Sequence, residues 1–445
     1  MDGGSLSDTQ RTMVLPLLQE TNIRGHPYIT VSAKGIANGL SRYPNDGADF
    51  GPDTTLGATA PGQYGGAYTE SSGIQEAVNY SNSLGNQYNG SIAIYVESGH
   101  YTVTSNIVLL PFIHIFGAGK MNTLLTLLYS SQIICKPGTY CQNIELSNMN
   151  VSAYNTPIDL TQAENSTKIK LQNMYISASS GTVPALVMNG NEDSLLENVE
   201  IYNNNNTTPT TTPALNWEAP NGAIDIIHSF MFGATLQSLT ANLQYVYVGG
   251  ILNLYNSSSG PCVYNVVGNI EYPPNLSNTS FISFLQSGTS SENISISLKG
   301  YIGGISSAPT SIFTNNTNFV TYLDITKLSI ISTYSSSIPL FNSTTNIILS
   351  PIKEQITGNI TLPSISTPSI PASGTAQQNT NPYAVNAYVY GGTVTEIQIT
   401  KNGTAYTVFS NSTGLALSGQ AYKLNPGDSI TLTYTTAPTW EWLSD

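Results

Sequence analysis

Carboxylates are the side chains best placed to do chemistry in this chain. Glu197 and Glu200 stand three residues apart, with Glu192, Asp193, Glu218 and Asp225 nearby. Glycosidic cleavage needs two carboxyl groups about 5–10 Å apart, one acting as acid and the other as base or nucleophile. Glu197, Glu200, Glu218 and Asp225 are therefore the catalytic candidates. The plainer expectation is that they are surface charges keeping a polar protein in solution, and the rest of the chain favours it. No arginine follows Arg42, and no Asp-Asp pair occurs. Lys168 and Lys170 read as solvated. His114 and His228 are single histidines in apolar runs, the usual setting of satisfied core residues. No His/Cys/Asp/Glu group has metal-ligand spacing, and there is no phosphate loop or Ser-His-Asp set. Neither a metal nor a cofactor is expected.

Other candidates bind or brace. Trp440 and Trp442 alternate near the C-terminus. One of them fills a β core, or one is exposed as a platform on which a sugar stacks. Cys135 and Cys141 flank the turn Cys-Lys-Pro-Gly-Thr-Tyr-Cys. They form a local disulfide that leaves Cys262 over, or all three are buried thiols. Fifteen Asn-x-Ser/Thr sequons occur, among them Asn165, Asn256, Asn293, Asn342 and Asn411, the glycosylation candidates. A chain this rich in Asn, Ser and Thr makes most such triplets by composition alone.

Composition narrows the function classes. Charged residues are 9% of the 445, against about 25% in ordinary soluble domains. Asn, Ser, Thr, Gly and Tyr supply the polar surface instead. Apolar residues are too frequent and too regular for disorder. No run approaches the roughly 18 apolar residues of a membrane span, so no membrane insertion is expected. A net charge of -13 argues against nucleic acid, whose phosphates demand Lys and Arg. The N-terminus lacks a basic region followed by an apolar stretch, so it does not read as a signal peptide.

The elements that would position these residues are mostly short strands. Residues 1–42 read as an arm or docking segment that holds all three arginines and a short helix candidate, Asp8 to Glu20. A helix is predicted over 72–85, with Ser72 and Gln75 as a capping box and Gly85 as its stop. Then a repeat appears. Ile144-Glu-Leu-Ser-Asn148-Met-Asn-Val151 aligns at 25-residue offsets with Ile169-Lys-Leu-Gln-Asn173-Met-Tyr-Ile176 and Ser194-Leu-Leu-Glu-Asn198-Val-Glu-Ile201. The Asn positions coincide, and so do three apolar columns. Alternation inside each unit is strand-like, and a fixed period in the twenties marks a solenoid. Asn148, Asn173 and Asn198 are expected at a bend, pairing side-chain amides from coil to coil. Beyond Ile201 a polar insertion, Asn203 to Pro213, leaves the stack, and further strand candidates follow without a readable register. Residues 362–380 read as a Pro/Ser/Thr linker. From 381 to 445 alternating strands and Asn402-Gly403 predict a small antiparallel β-sandwich.

Two stretches carry a family resemblance. Asn45-Asp46-Gly47-Ala48-Asp49, Gly73-Ile74-Gln75-Glu76-Ala77-Val78, Ile94 to Tyr101 and Ile115-Phe-Gly117-Ala-Gly119 resemble the opening of pectin-lyase-like β-helix proteins, especially viral tailspikes. The segment from Leu424 to Trp442 is similar to small β-modules ending virus-encoded and thermophile surface proteins. The resemblance implies an all-β chain. It would be a right-handed parallel β-helix, a single-stranded solenoid over 43–361, with an N-terminal capping helix and a terminal β-sandwich. It implies a homotrimeric virion spike or fibre at the particle surface, outside the cell. The arm would dock on other virion proteins, and the chain would bind a host cell-surface glycan or glycoprotein. It puts a glycan-cleaving hydrolase or lyase second, although the family's Asn-Thr-Asp, His-Gly and Arg-x-Lys signatures are absent here. A cellular surface adhesin is the third reading.

Overall fold

The computed structural model describes residues 28–34, 48–64, 66–85, 92–161, 165–203, 212–257, 260–272, 281–286, 292–305, 309–316, 320–343, 347–350, 356–401 and 403–444. The Asp8–Glu20 helix candidate, the three arginines, Asn45 to Gly47, Asn402 and most of the 203–213 insertion lie outside the described residues.

The chain winds as a right-handed parallel β-helix whose strands, apart from the Ile338–Pro339 and Ile360–Thr361 pair, join one sheet. Each coil lays strands on three faces, and on each face the strands stack in parallel. The first face aligns Ile94, Ile115, Leu146, Leu171, Leu196, Ile226, Leu243, Val266 and Leu298 in one buried column. The second aligns Tyr101, Leu125, Val151, Ile176, Ile201, Met231, Val248, Ile270 and Ile302. The third runs Ile107, Ile133, Ile158, Leu186, Leu215, Ala234, Leu252, Ile282 and Phe313. Each of these side chains removes apolar surface from water, worth about 1.5–3 kcal/mol when complete for a large one. A parallel stack also satisfies the backbone, because each strand pairs with the coil above and below.

The bends use an unusual backbone. Asn148, Asn173 and Asn198 have φ of 57°, 51° and 54°, a left-handed conformation that short polar side chains tolerate best. Asn173 Nδ2 donates to Asn148 Oδ1 at 3.1 Å, and Asn198 Nδ2 donates to Asn173 Oδ1 at 2.7 Å. A second left-handed column, Phe112, Asn143, Lys168 and Asp193, turns the chain into the same strands from the other side. Past Asn198 the first column continues as His228 and Tyr245, at φ 49° and 55°, and the register then shifts so that Gly268 lies opposite Val246.

The N-terminal end departs from expectation in three ways. The helix spans Ile74–Leu84, and its N-cap is Gly73, at φ 86° with no side-chain cap bond. The Ser72–Gln75 capping box therefore does not form, because the left-handed Gly73 shifts the helix start. Ser71 Oγ accepts from the Gln75 N–H at 2.9 Å instead, and Gln75 Oε1 accepts from the Val108 N–H on the first third-face strand. The buried Glu76 carboxylate then takes donors from Thr69 Oγ1, Ser71 Oγ and the Gly57 N–H, tying the 54–71 loop to the helix. Part of the presumed arm also belongs to the solenoid. Ile29–Val31 pairs with Ile94–Val96 and closes an otherwise open strand edge.

The presumed linker is not free either. Ile365 and Ile370 pack on the C-terminal core, and Ala376–Gln378 adds a strand to its sheet. Trp440 Nε1 donates to the Pro368 carbonyl at 2.7 Å. Proline breaks hydrogen-bond ladders, so the composition reads as linker although the segment docks. The C-terminal module is an antiparallel sheet of five strands. Its longest pairing, Val385–Lys401 with Thr404–Leu424, bends at Gly391, Gly392 and Gly414. The first half of Val385–Lys401 pairs Thr439–Ser444 and the second half pairs Ser429–Thr436. The two layers so formed close on one core that includes Val389, Ile397 and Leu432.

Replacing Asn173 by Ala removes two amide bonds and leaves a Cβ residue at a left-handed bend. A loss of about 2–4 kcal/mol is expected in urea unfolding, with Asn173→Gly losing about half as much because Gly keeps the φ. Equal losses for Ala and Gly would show that the bend conformation contributes nothing.

Candidate functional site

The outward positions beside the bend column build the candidate site. In each coil the bend residue and the residue two places later both point out, and the one between points in. This gives the pairs Asn198/Glu200, His228/Phe230 and Tyr245/Tyr247, and on the next coil Gly268 and Asn269 lie opposite Val246 and Tyr247. The intervening Ser229 and Val246 are buried. Together they form a groove of about 560 Å³ running along the solenoid axis. Its four coils span about 14 Å at the usual strand spacing.

Aromatic rings make both walls. Along one, His228 stacks on Tyr245 with centroids 5.1 Å apart. Along the other, Tyr175, Tyr202, Phe230 and Tyr247 follow one another at 4.9, 5.0 and 4.7 Å, with Phe232 packed beside them. The bend column then ends, because the register shifts at Tyr245: Gly268 lies opposite Val246 instead, and a Cβ there would be 2.0 Å from the Val246 carbonyl oxygen. Among the described residues Tyr245 stacks on His228 alone, and it is 68% exposed. Sequence reasoning missed this site. Its signal was the alternation His228-Ser-Phe230-Met-Phe232 and Tyr245-Val-Tyr247, aromatic outward and small or apolar inward.

Two carboxylates border the aromatic wall. Glu200 pairs with Lys120 and accepts from Tyr202 Oη at 3.3 Å. Glu271 accepts from Tyr247 Oη. Burial, with the Glu200 charge next, pushes the Tyr202 phenol up to about 12. Burial and the bond to Glu271 raise Tyr247 as well. Both phenols are therefore neutral donors across the physiological range.

The four catalytic candidates are not gathered in one place. Glu197 is on the first face, where it accepts from Gln172 Nε2 at 2.9 Å. Asp225 is on the next coil of that face and accepts from Asn242 Nδ2 at 3.0 Å. Glu200 lies round the bend on the second face, and Glu218 is on the third, beside Asn216. The two histidines read as core residues are surface groups. His114 is half exposed near Glu145, and His228 is in the groove wall; both occupy outward positions of their coils.

The remaining candidates fall into place separately. Trp440 and Trp442 are both buried, ring edge to face at 5.4 Å, so neither is a sugar platform. Their strand turns both residues of its inward set onto the module core. Cys135 and Cys141 are joined in a disulfide across Cα atoms 5.8 Å apart, and Cys262 is a buried free thiol. Asn256 is fully buried with Nδ2 on the Glu292 carbonyl, which removes it as a glycosylation acceptor. Asn293 and Asn342 are exposed, Asn411 is half-buried, and Asn165 begins a first-face strand. Among the described residues no group of three His, Cys, Asp or Glu side chains is gathered for a metal, and no helix is long and apolar enough to cross a membrane.

No protein-family model matches the chain. No curated protein matches it. Among solved structures it is similar to a pectin methylesterase from carrot, at 9% identity over 66% of this chain and 84% of that one, with a TM-score of 0.30. It is also similar to the Agl-KA catalytic domain, at 12% identity over 65% of each chain with a TM-score of 0.31. A GH87 α-1,3-glucanase catalytic unit from Streptomyces thermodiastaticus strain HF3-3 matches at 9% identity over 77% and 70%, with a TM-score of 0.28. These scores describe loosely superposed coils and carry nothing to the groove.

The raised Tyr202 pKa has a measurable consequence. A phenol raised from 10.0 to about 12 by folding contributes stability that is fully present below pH 10 and lost as pH rises through about 12. Phenolate absorbance should show a late-titrating group that disappears in Tyr202→Phe. In Glu200→Gln its midpoint should drop only part of the way to 10, since burial is the larger cause. A full return to 10 would make the carboxylate the whole cause.

Proposed function

We propose that this chain is a structural rod that binds glycan along its axial groove, on the surface of a virion and outside the cell. One observation carries the binding role: two walls of stacked aromatic rings, one ending on the exposed Tyr245 and the other on Tyr247. Sugar rings present C–H faces that pack on aromatic rings, and hydroxyls that bond neutral and carboxylate acceptors. Asn198, Asn269, Glu200 and the two phenols supply such partners within the same groove. The stiff stack, with its columns of paired side chains, supports the structural role. Placement on a virion rests on the tailspike resemblance of residues 44–125. A glycan-cleaving enzyme is the second reading. Only the diagonal placement of Glu197 and Asp225 on neighbouring coils favours it.

Binding should be read by calorimetry and a glycan array. Tyr245→Ala should weaken any sugar bound in the groove about tenfold, near 1.4 kcal/mol. Trp440→Phe should leave the affinity unchanged. The opposite pattern would move the site to the C-terminal module. Release of reducing ends by wild type that vanishes in Glu197→Gln/Asp225→Asn would replace the binding reading by the enzymatic one. Antibody against residues 381–445 should decorate purified particles in electron micrographs. Labelling of cell walls instead would refute the virion placement.

A further inference from the structure

We infer that the groove selects uncharged oligosaccharides and rejects acidic ones such as uronate, sulfated or sialylated chains. This rests on the glycan-binding reading and adds the ligand class to it. Acidic glycans are held by cations, and none lines the groove: its wall residues include no Lys or Arg. Lys120, the cation beside Glu200, is already paired with it. The fixed charges beside the aromatic wall are carboxylates, Glu200 within the groove and Glu271 behind Tyr247. Tyr202 and Tyr247 turn their hydroxyls onto those carboxylates. A ligand hydroxyl can donate to the lone pairs these carboxylates still offer, whereas a ligand carboxylate meets their like charge and finds no Lys or Arg among the wall residues. The whole chain adds to this, at a net charge of -13, by repelling a polyanion before contact.

The groove also sets the ligand's direction. Its walls run up the solenoid axis, one outward pair per coil, so a linear chain lies along the axis. One sugar face packs on Tyr245, whose ring is stacked on His228 on one side and is 68% exposed.

The test uses the full chain and matched sets of neutral oligosaccharides (glucans, mannans, galactans) and acidic ones (oligogalacturonates, oligoguluronates). Affinities are measured in wild type, Tyr245→Ala and Glu200→Gln/Glu271→Gln. Neutral ligands should bind at least about tenfold more tightly than acidic ones of equal length, and the margin should widen at low salt. In the double Gln variant acidic ligands should gain and the margin should shrink toward parity. Acidic ligands that bind wild type as tightly as neutral ones, with Tyr245→Ala weakening both, would overturn the selectivity while leaving the groove as the site. A margin that persists unchanged in the double variant would also overturn it, since the carboxylates would not be its source. Binding insensitive to Tyr245→Ala would overturn the groove reading itself. Absence of binding to every sugar would remove both.

Discussion

The structure depends on one constraint: no single coil can bury its apolar side chains or satisfy its strand edges alone. Both are solved only by another coil at the spacing of paired strands, in register. Register is therefore the quantity the sequence must hold. The three interior columns, from Ile94, Tyr101 and Ile107 onward, hold it on the inside. The left-handed bends hold it at the corners, since a slipped coil would break the Asn148–Asn173–Asn198 amide chain and turn buried residues outward. The ends are closed by different means. Ile29–Val31 and the helix cover the first coils, while the last ones meet the C-terminal module through the Leu349 N–H and the Pro382 carbonyl.

The same register builds the surface. A residue pointing out in one coil has its counterpart directly above it in the next. Identical charges so placed would repel by about 3 kcal/mol before salt screening, at roughly 5 Å and a surface-like dielectric. Neutral groups stack without that cost, and rings gain from it. This accounts for a chain with only 9% charged residues. Where charges do share a column they tend to alternate: His114, Glu145 and Lys170 follow one another, with Lys170 Nζ 3.4 Å from Glu145. Lys299 opposite Lys327 is the exception, with Asp324 one step away. The Asp324 carboxyl is held below its usual range, first by the Thr326 N–H and also by Lys299.

How much of this was legible in the sequence follows from the coil length. The period of 25 is plain while Asn marks the bend. After Asn198 the next bend, His228, comes 30 residues later, across the 203–213 insertion, and Tyr245 only 17 after that. Neither carries the Asn signature, so the repeat vanishes from the sequence exactly where the groove begins to form. Strands of the third face, such as Ile282–Leu285 and Phe313–Asn316, stayed invisible because short apolar runs between polar loops have no period of their own. The tryptophans drew attention by residue type alone, which does not distinguish a core side chain from an exposed one. The groove aromatics are ordinary Tyr, Phe and His, and only the register of distant coils brings them together.

That register also favours extended columns of one chemistry over local clusters in this fold. A solenoid repeats an outward position easily, so extended columns of one chemistry form without strain. A catalytic pair needs the reverse: two carboxylates in different environments at one spot, supported by groups that set their protonation. Glu197, Glu200, Glu218 and Asp225 are spread over three faces, and each is bonded to a neighbouring side chain: Gln172, Lys120, Asn216 and Asn242. Those are the partners that neutral and mixed columns provide to a carboxylate standing in line. The aromatic groove, by contrast, uses the repeat as it comes, placing ring pairs on two successive coils, His228/Phe230 and Tyr245/Tyr247, until the register shift at Tyr245 interrupts the column. The interruption matters as much as the repeat. Rings inside a stack spend their faces on one another, and a terminal ring such as Tyr245, 68% exposed, keeps one uncovered.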